Sequence, residues 1–324
     1  MKIRTSCRLL LLVALAAPLR ADVGTCSSAF DMDAAVKSAL DSAATSIFQQ
    51  AQRGDYFGLR SASIPSLAAG FGSVEAAIGE NRANFQNAQA AVRSEFQLNA
   101  PASAGVRTEF LCGAYPDLVG FAINNLPPGQ YGIVILDVKG GKTPFALSVI
   151  LQNAGAWKLA GFYLRPVELA GHDGNWYFAR ANDFKARNQN YNAYFYYVQA
   201  WELLAPLNFM STPQLDRVGD ASLSVRPADI PINGRTADLA AAAKTYRLTE
   251  MFPTAADGDF ELVVRYQAAS VADRAASERE NAALIRALVA KHPELREGFA
   301  GVVARAVTSA GDEYGSLLLM KDIR

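Results

Sequence analysis

A change of hydrophobic period near residue 90 constrains the fold of this chain more than any other feature. Across residues 31–53 the apolar side chains Val36, Leu40, Ala44, Ile47, Phe48 and Ala51 recur every three or four positions, the spacing of one buried helix face. Asp31 or Asp33 can cap the start, and Gly54-Asp55 ends it. Short helical pieces are predicted at 56–61 and 73–85, broken by Pro65, Gly70 and Gly72. From residue 92 the period becomes two: Val92, Ser94, Phe96 and Leu98 alternate with Arg93, Glu95 and Gln97. Further strands are predicted at 106–113, 131–138, 143–151 and 157–164. Pro127-Pro128-Gly129, Gly140-Gly141 and 153–155 supply turns. Helices followed by an antiparallel meander make an α+β layer arrangement.

Residues 174–210 turn helical again and hold the richest aromatic content of the chain. Asn188-Gln189-Asn190 divides them into a hairpin. Pro213, Pro227, Pro231 and Gly234 then mark 213–240 as a linker. The last segment, 241–324, reads β-β-α-β-β. Strands at 244–252 and 260–268 flank an Asp257-Gly258 hairpin signal. Ser270-Val271-Ala272-Asp273 resembles a capping box, and Leu284, Ile285, Leu288 and Val289 form the face of the helix it opens. Pro293 stops that helix, and strands at 299–307 and 316–323 complete the unit.

Residues 1–21 read as a secretory leader. Lys2, Arg4 and Arg8 precede an apolar run from Leu9 to Ala17 that is too short to span a bilayer. The expected location is periplasmic or secreted, where ATP and nicotinamide cofactors are scarce. Lys+Arg and Asp+Glu both number 31, so the basic excess of a nucleic-acid binder is missing. No later segment is long and apolar enough to suggest a membrane span. Cys7 falls in the leader, leaving Cys26 and Cys112. A disulfide between them, a lipid anchor on Cys26, and free thiols are the three readings. Val23-Gly24-Thr25 fits a lipobox poorly, which favours the disulfide.

The long first helix, the Gly54-Asp55-Tyr56 step, the amphipathic second helix and the closing Gly155-Ala156-Trp157-Lys158-Leu159 turn resemble the nuclear transport factor 2-like fold over residues 30–168. That resemblance implies a curved antiparallel sheet wrapped around a helix to make a cone with a pocket. Members include steroid isomerases, polyketide cyclases, scaffolds and ligand-binding modules, so the fold does not give the function. Tyr177, Ala181, Phe184, Ala193, Tyr197 and Ala200 at 172–212 resemble one tetratricopeptide-type hairpin. Arg180 stands where that family prefers Leu, and Pro206 is one place late. A single repeat cannot bury its own face, so it should pack on a neighbour or a partner.

Candidate chemistry is sparse. No nucleophile elbow, Walker loop or zinc-type spacing occurs, and no cofactor or metal is expected. His172, in the Gly171-His172-Asp173-Gly174 loop, is the one histidine placed as a catalytic candidate. A cone isomerase would need a carboxylate of raised pKa opposite a donor, for which Asp137 with Tyr131 or Tyr115 are the candidates. Ile133 and Ile135 share the face of Asp137, so a solvated strand end is the plainer expectation for it. Arg93, Glu95, Arg107 and Glu109 read as cross-strand charge pairs on a wet face. Tyr194, Tyr197 and Trp201 form a helical stripe suited to domain packing or to a partner surface. The leading expectation is an exported bacterial binding or scaffold protein, taking a protein partner or a small apolar ligand. The alternative is an isomerase or cyclase using a cone carboxylate, which requires a hollow cone rather than one filled by Phe110, Phe145 and Trp157.

Overall fold

The computed structural model describes residues 22–102, 106–232, 234–241, 244–256 and 258–323. The expected leader, 1–21, lies outside the described residues. The fold is α+β, with sheets that are almost wholly antiparallel.

Two short strands, β1 (Asp22–Val23) and β2 (Thr25–Ser28), precede helix α1 (Ala34–Arg53). Asp33 caps α1 by accepting from the amides of Ala35 and Val36, and Gly54 ends it at φ 72°. The sequence stripe is the buried one: Leu40, Ala44, Ile47, Phe48 and Ala51 all face inward. Short helices α2 (Tyr56–Ser61), α3 (Pro65–Ala69), α4 (Gly72–Glu80) and α5 (Arg82–Phe85) extend this layer. The strands follow as β3 (Gln89–Ala100), β4 (Arg107–Cys112), β5 (Val119–Asn124), β6 (Gly129–Lys139), β7 (Phe145–Asn153) and β8 (Trp157–Pro166). Strand β5 was not anticipated, although Val119, Phe121 and Ile123 alternate.

The main sheet has the order β2-β3-β6-β7-β8. Its first face packs on the helices through Val134, Leu136, Val138, Phe145, Leu147 and Val149. Helix and sheet meet closely at Gly132, where a Cβ would lie 2.2 Å from Leu40 Cδ2. The second face carries Phe96, Leu98, Tyr131, Ile133 and Ile135. It packs on a small sheet of order β1-β4-β5-β11 through Phe110, Cys112, Val119 and Phe121. The Cys26–Cys112 disulfide joins β2 of the main sheet to β4 of the small one. Phe145 and Trp157 therefore belong to the helix-side core, and Phe110 to the opposite one.

The alternation read along β3 is interrupted. A bulge between Val92 and Ser94 leaves Arg93 without a partner on β6. One extra residue flips the faces. Val92 sits opposite Leu136 on the helix side, whereas Phe96 sits opposite Ile133 on the other. Glu95 keeps its alternation with Phe96, but its face, opposite Val134, is covered by α1 rather than wet, so Glu95 is buried, 4% exposed.

Strands β9 (Glu168–Leu169) and β10 (His172–Asp173) lead into α6 (Gly174–Ala186) and α7 (Asn190–Leu204), the expected hairpin, with Asn188 in its turn at φ 57°. Strand β11 (Met210–Ser211) returns to pair with β5. The expected linker is structured: Thr212 caps helix α8 (Pro213–Val225), Pro213 occupies its first turn, and Leu215, Val218 and Val225 are buried. Proline at a helix start is favourable, because its missing N–H has no helical acceptor there.

The last sheet comprises β12 (Ala237–Ala240), β13 (Thr245–Ala256), β14 (Asp259–Gln267), β15 (Gly301–Val307) and β16 (Glu313–Leu319) in that order. Helix α9 (Arg274–Lys291) and the short α10 (Leu295–Gly298) cross between β14 and the parallel β15. This is the expected β-β-α-β-β unit with one added edge strand. Asp257 of the predicted turn lies outside the described residues, and Gly258 beside it has φ 89°. The cap of α9 is Asp273, which accepts from Ala276, rather than Ser270. One apolar cluster runs from Tyr177, Phe184, Tyr196 and Tyr197 of the hairpin through Leu262, Val264, Leu284 and Phe299. The hairpin thus packs on the C-terminal sheet.

Candidate binding groove

Four segments distant in sequence converge on a groove of about 1350 Å3. They are the turn after β2, the middle of β3, the loop between β4 and β5, and the start of α8. The turn forms because the amides of Asp31 and Met32 both donate to the Ser28 carbonyl, each at 3.0 Å. It leaves Phe30 95% exposed. In the facing loop Gly113 takes φ 73°, the Tyr115–Pro116 peptide is cis, and the Asp117 amide donates to the Ala114 carbonyl at 2.8 Å. Tyr115 stands 78% exposed on it. The disulfide anchors both walls, since Cys26 opens the turn segment and Cys112 ends β4.

The lining is electrically balanced: Asp31, Glu95 and Asp117 against Lys37, Arg93 and Arg217. Glu95 is its buried acid, and it is already ion-paired to Lys37. Hydrogen bonds to Glu95, and then to Asp41 at 2.9 Å, hold the Lys37 ammonium above its usual value. Arg93 forks onto Asp137, with its Nε at 2.8 Å from the carboxylate.

One wall is an unpaired strand edge. Strand β2 pairs only with Phe96–Asn99 of β3. On that side, residues 89–95 have no strand neighbour among the described residues. The other end strand of this sheet, β8, is partly shielded: the Ile64 amide donates to the Leu159 carbonyl, and the Leu159 amide donates to Ala62.

The sequence candidates are scattered. Asp137 is half-buried at the end of β6, bonded to Arg93. Tyr131 shares its face, but six residues at ~3.3 Å each place it about 20 Å away. Its hydroxyl donates to the Pro127 carbonyl at 2.9 Å, and burial pushes its pKa up. The two cannot act as a base and donor on one substrate. Tyr115, the alternative donor, belongs to the groove. His172 stacks on Trp176, with ring centroids 3.6 Å apart. Tyr194 and Tyr197 are buried in the hairpin core, and the Tyr197 hydroxyl donates to Asn182 at 2.7 Å. Trp201 packs against the same core, half-buried. This stripe therefore serves packing rather than a free surface. Arg107 and Glu109 pair along one strand rather than across two.

A second polar cluster lies where α7, the loop after α8 and the end of α9 meet. The Tyr191 hydroxyl donates to Asp229, and Lys291 approaches the same carboxylate at 2.6 Å. Burial pushes Asp229 up, but these two hydrogen bonds outweigh it and hold its pKa low. His292 packs on the Tyr191 ring at 3.8 Å, and desolvation lowers its pKa. Among the described residues, no group of three or more His, Cys, Asp or Glu is arranged to hold a metal ion. Among them too, no helix is long and apolar enough to cross a membrane.

Phe30 and the edge of β3 were not singled out from sequence. Phe30 carried a weak signal, as a lone aromatic residue just before the candidate helix cap at Asp31 or Asp33. No family model, curated protein or solved structure matches this chain.

Proposed function

We propose that this chain is an exported, periplasmic or secreted protein that binds a ligand or partner in the groove and performs no reaction there. The carrying observation is the pair of aromatic side chains, Phe30 and Tyr115, held exposed on two walls braced by one disulfide. Exposing a large aromatic ring is unfavourable unless something covers it, and aromatic residues are favoured at binding surfaces. The disulfide suits an oxidising compartment. Glu95, the buried acid of the lining, is held by Lys37, which favours binding over proton transfer. The order of one long helix, short helices and a five-stranded antiparallel sheet supports a nuclear transport factor 2-like reading of 30–168. The α6–α7 hairpin likewise supports the tetratricopeptide-like reading of 172–212.

A thermal-shift panel of neutral oligosaccharides, linear peptides and small apolar molecules tests this. A ligand at about 100 times its Kd stabilises the folded state by ~2.7 kcal/mol. At least one class should raise the Tm of the wild type and leave the Phe30→Ala/Tyr115→Ala variant unmoved. Equal shifts in both proteins, or none in either, would overturn the assignment.

A further inference from the structure

We propose that the groove binds an extended peptide segment by strand addition to the free edge of β3, residues 89–95. The proposal rests on the groove being the binding site and names what it takes.

The backbone carries the argument. Strand β3 is 12 residues long, yet its outer neighbour β2 covers four of them. The chain leaves that row at Ser28, where the 28–32 turn directs it into α1. Among the described residues the row beside β3 beyond that point is empty, and the outward N–H and C=O groups of alternate residues can take partners. An extended polypeptide supplies them in the right order and spacing, which an oligosaccharide or an apolar small molecule cannot do. Seven residues at ~3.3 Å each give a row about 23 Å long, of which Val92–Glu95, about 13 Å, lie in the groove.

The surroundings select one strand rather than another sheet. The start of α1 lies on one face of the main sheet, and the β4–β5 loop belongs to the layer on the other. A strand added between them would send alternate side chains toward each wall, where Phe30, Tyr115 and Arg217 lie. These walls, with the bulge and charge at Arg93, hinder the flat edge-to-edge approach of a second copy. The balanced lining charge favours a segment of low net charge carrying apolar or aromatic side chains. Strand β16 also ends a sheet, but it does not line the groove.

The test uses random linear decapeptides displayed against the intact, oxidised protein, followed by synthesis of the tightest binder. That peptide is N-methylated at alternate residues in the two complementary registers. Strand addition requires one register to lose at least about tenfold in affinity while the other stays within about threefold. The outward-facing amides within 89–95 should at the same time gain hydrogen-exchange protection. Equal tolerance of both registers, or protection confined to β16, would overturn the proposal. A panel in which no peptide binds while a neutral oligosaccharide does, in a Tyr115-dependent way, overturns strand addition and leaves the groove standing. If no class binds, both fall.

Discussion

Reducing the Cys26–Cys112 bond should destabilise the N-terminal half of this protein by an amount that follows from its loop. The cysteines are 86 residues apart in sequence. In the chain-entropy model a cross-link of that span removes about 15 cal/mol/K from the unfolded state, or about 4.6 kcal/mol at 25 °C. Reduction is a cleaner perturbation than substitution. It keeps both sulfur atoms, and Cys112 is fully buried between the two sheets, where truncation would add a cavity term. At a urea slope of ~2 kcal/mol per molar, the midpoint should fall by about 2 M. The loss should be local. Trp157 packs on the helix-side core, whereas Trp201 belongs to the core shared by the hairpin and the C-terminal sheet. Equilibrium urea unfolding, with and without reductant, should be followed in two variants that each keep one tryptophan, Trp157 or Trp201, with the others replaced by Phe. Coincident curves would refute the reasoning, because the cross-link would then constrain nothing the packing does not already hold. A shift confined to Trp201 would refute it equally.

Asn281, fully buried, accepts from the Tyr266 hydroxyl at 2.9 Å and donates to Ser316 Oγ at 3.0 Å. Asn281→Leu keeps the branched shape of the side chain and strands those partners, so a loss of about 2–4 kcal/mol is expected in urea unfolding; a loss below ~0.5 would refute the network. His292 is held neutral by burial, among Tyr191 from α7, Asp229 from the α8 loop, and Lys291 and Glu294 beside it in sequence. Its folded pKa lies below its unfolded value of ~6.5, so the unfolded chain binds more protons in that window. Stability should therefore fall as pH drops from ~6.5 through the folded pKa. His292→Gln should flatten this part of the Tm–pH profile, and an unchanged profile would refute the assignment.

Several elements were legible because their signals are short-range. The α1 stripe, the apolar runs of β6 and β7 and the β-β-α-β-β order each depend on neighbours within a few residues. The misreadings have equally specific causes. The prolines of 213–240 suggested a linker, but Pro213 follows the Thr212 cap and starts a helix. Period-two counting along 92–98 assumed a regular strand with one wet face; the bulge at Arg93 put Val92 and Phe96 on opposite faces, and α1 covered the face of Glu95. Aromatic residues at 194, 197 and 201 looked able to serve a surface, but they belong to the core that the hairpin shares with the C-terminal unit.

The sequence alone determined the helix-then-meander order, the cysteine pair and the balance of charge, since composition and local periodicity encode them. Tertiary structure alone decided which strand edge stays unpaired and which aromatic side chains remain uncovered. Both depend on where β2 stops, where α1 begins and how the β4–β5 loop and α8 return. Burial and backbone pairing are settled between segments tens to more than a hundred residues apart, and no local pattern records the outcome.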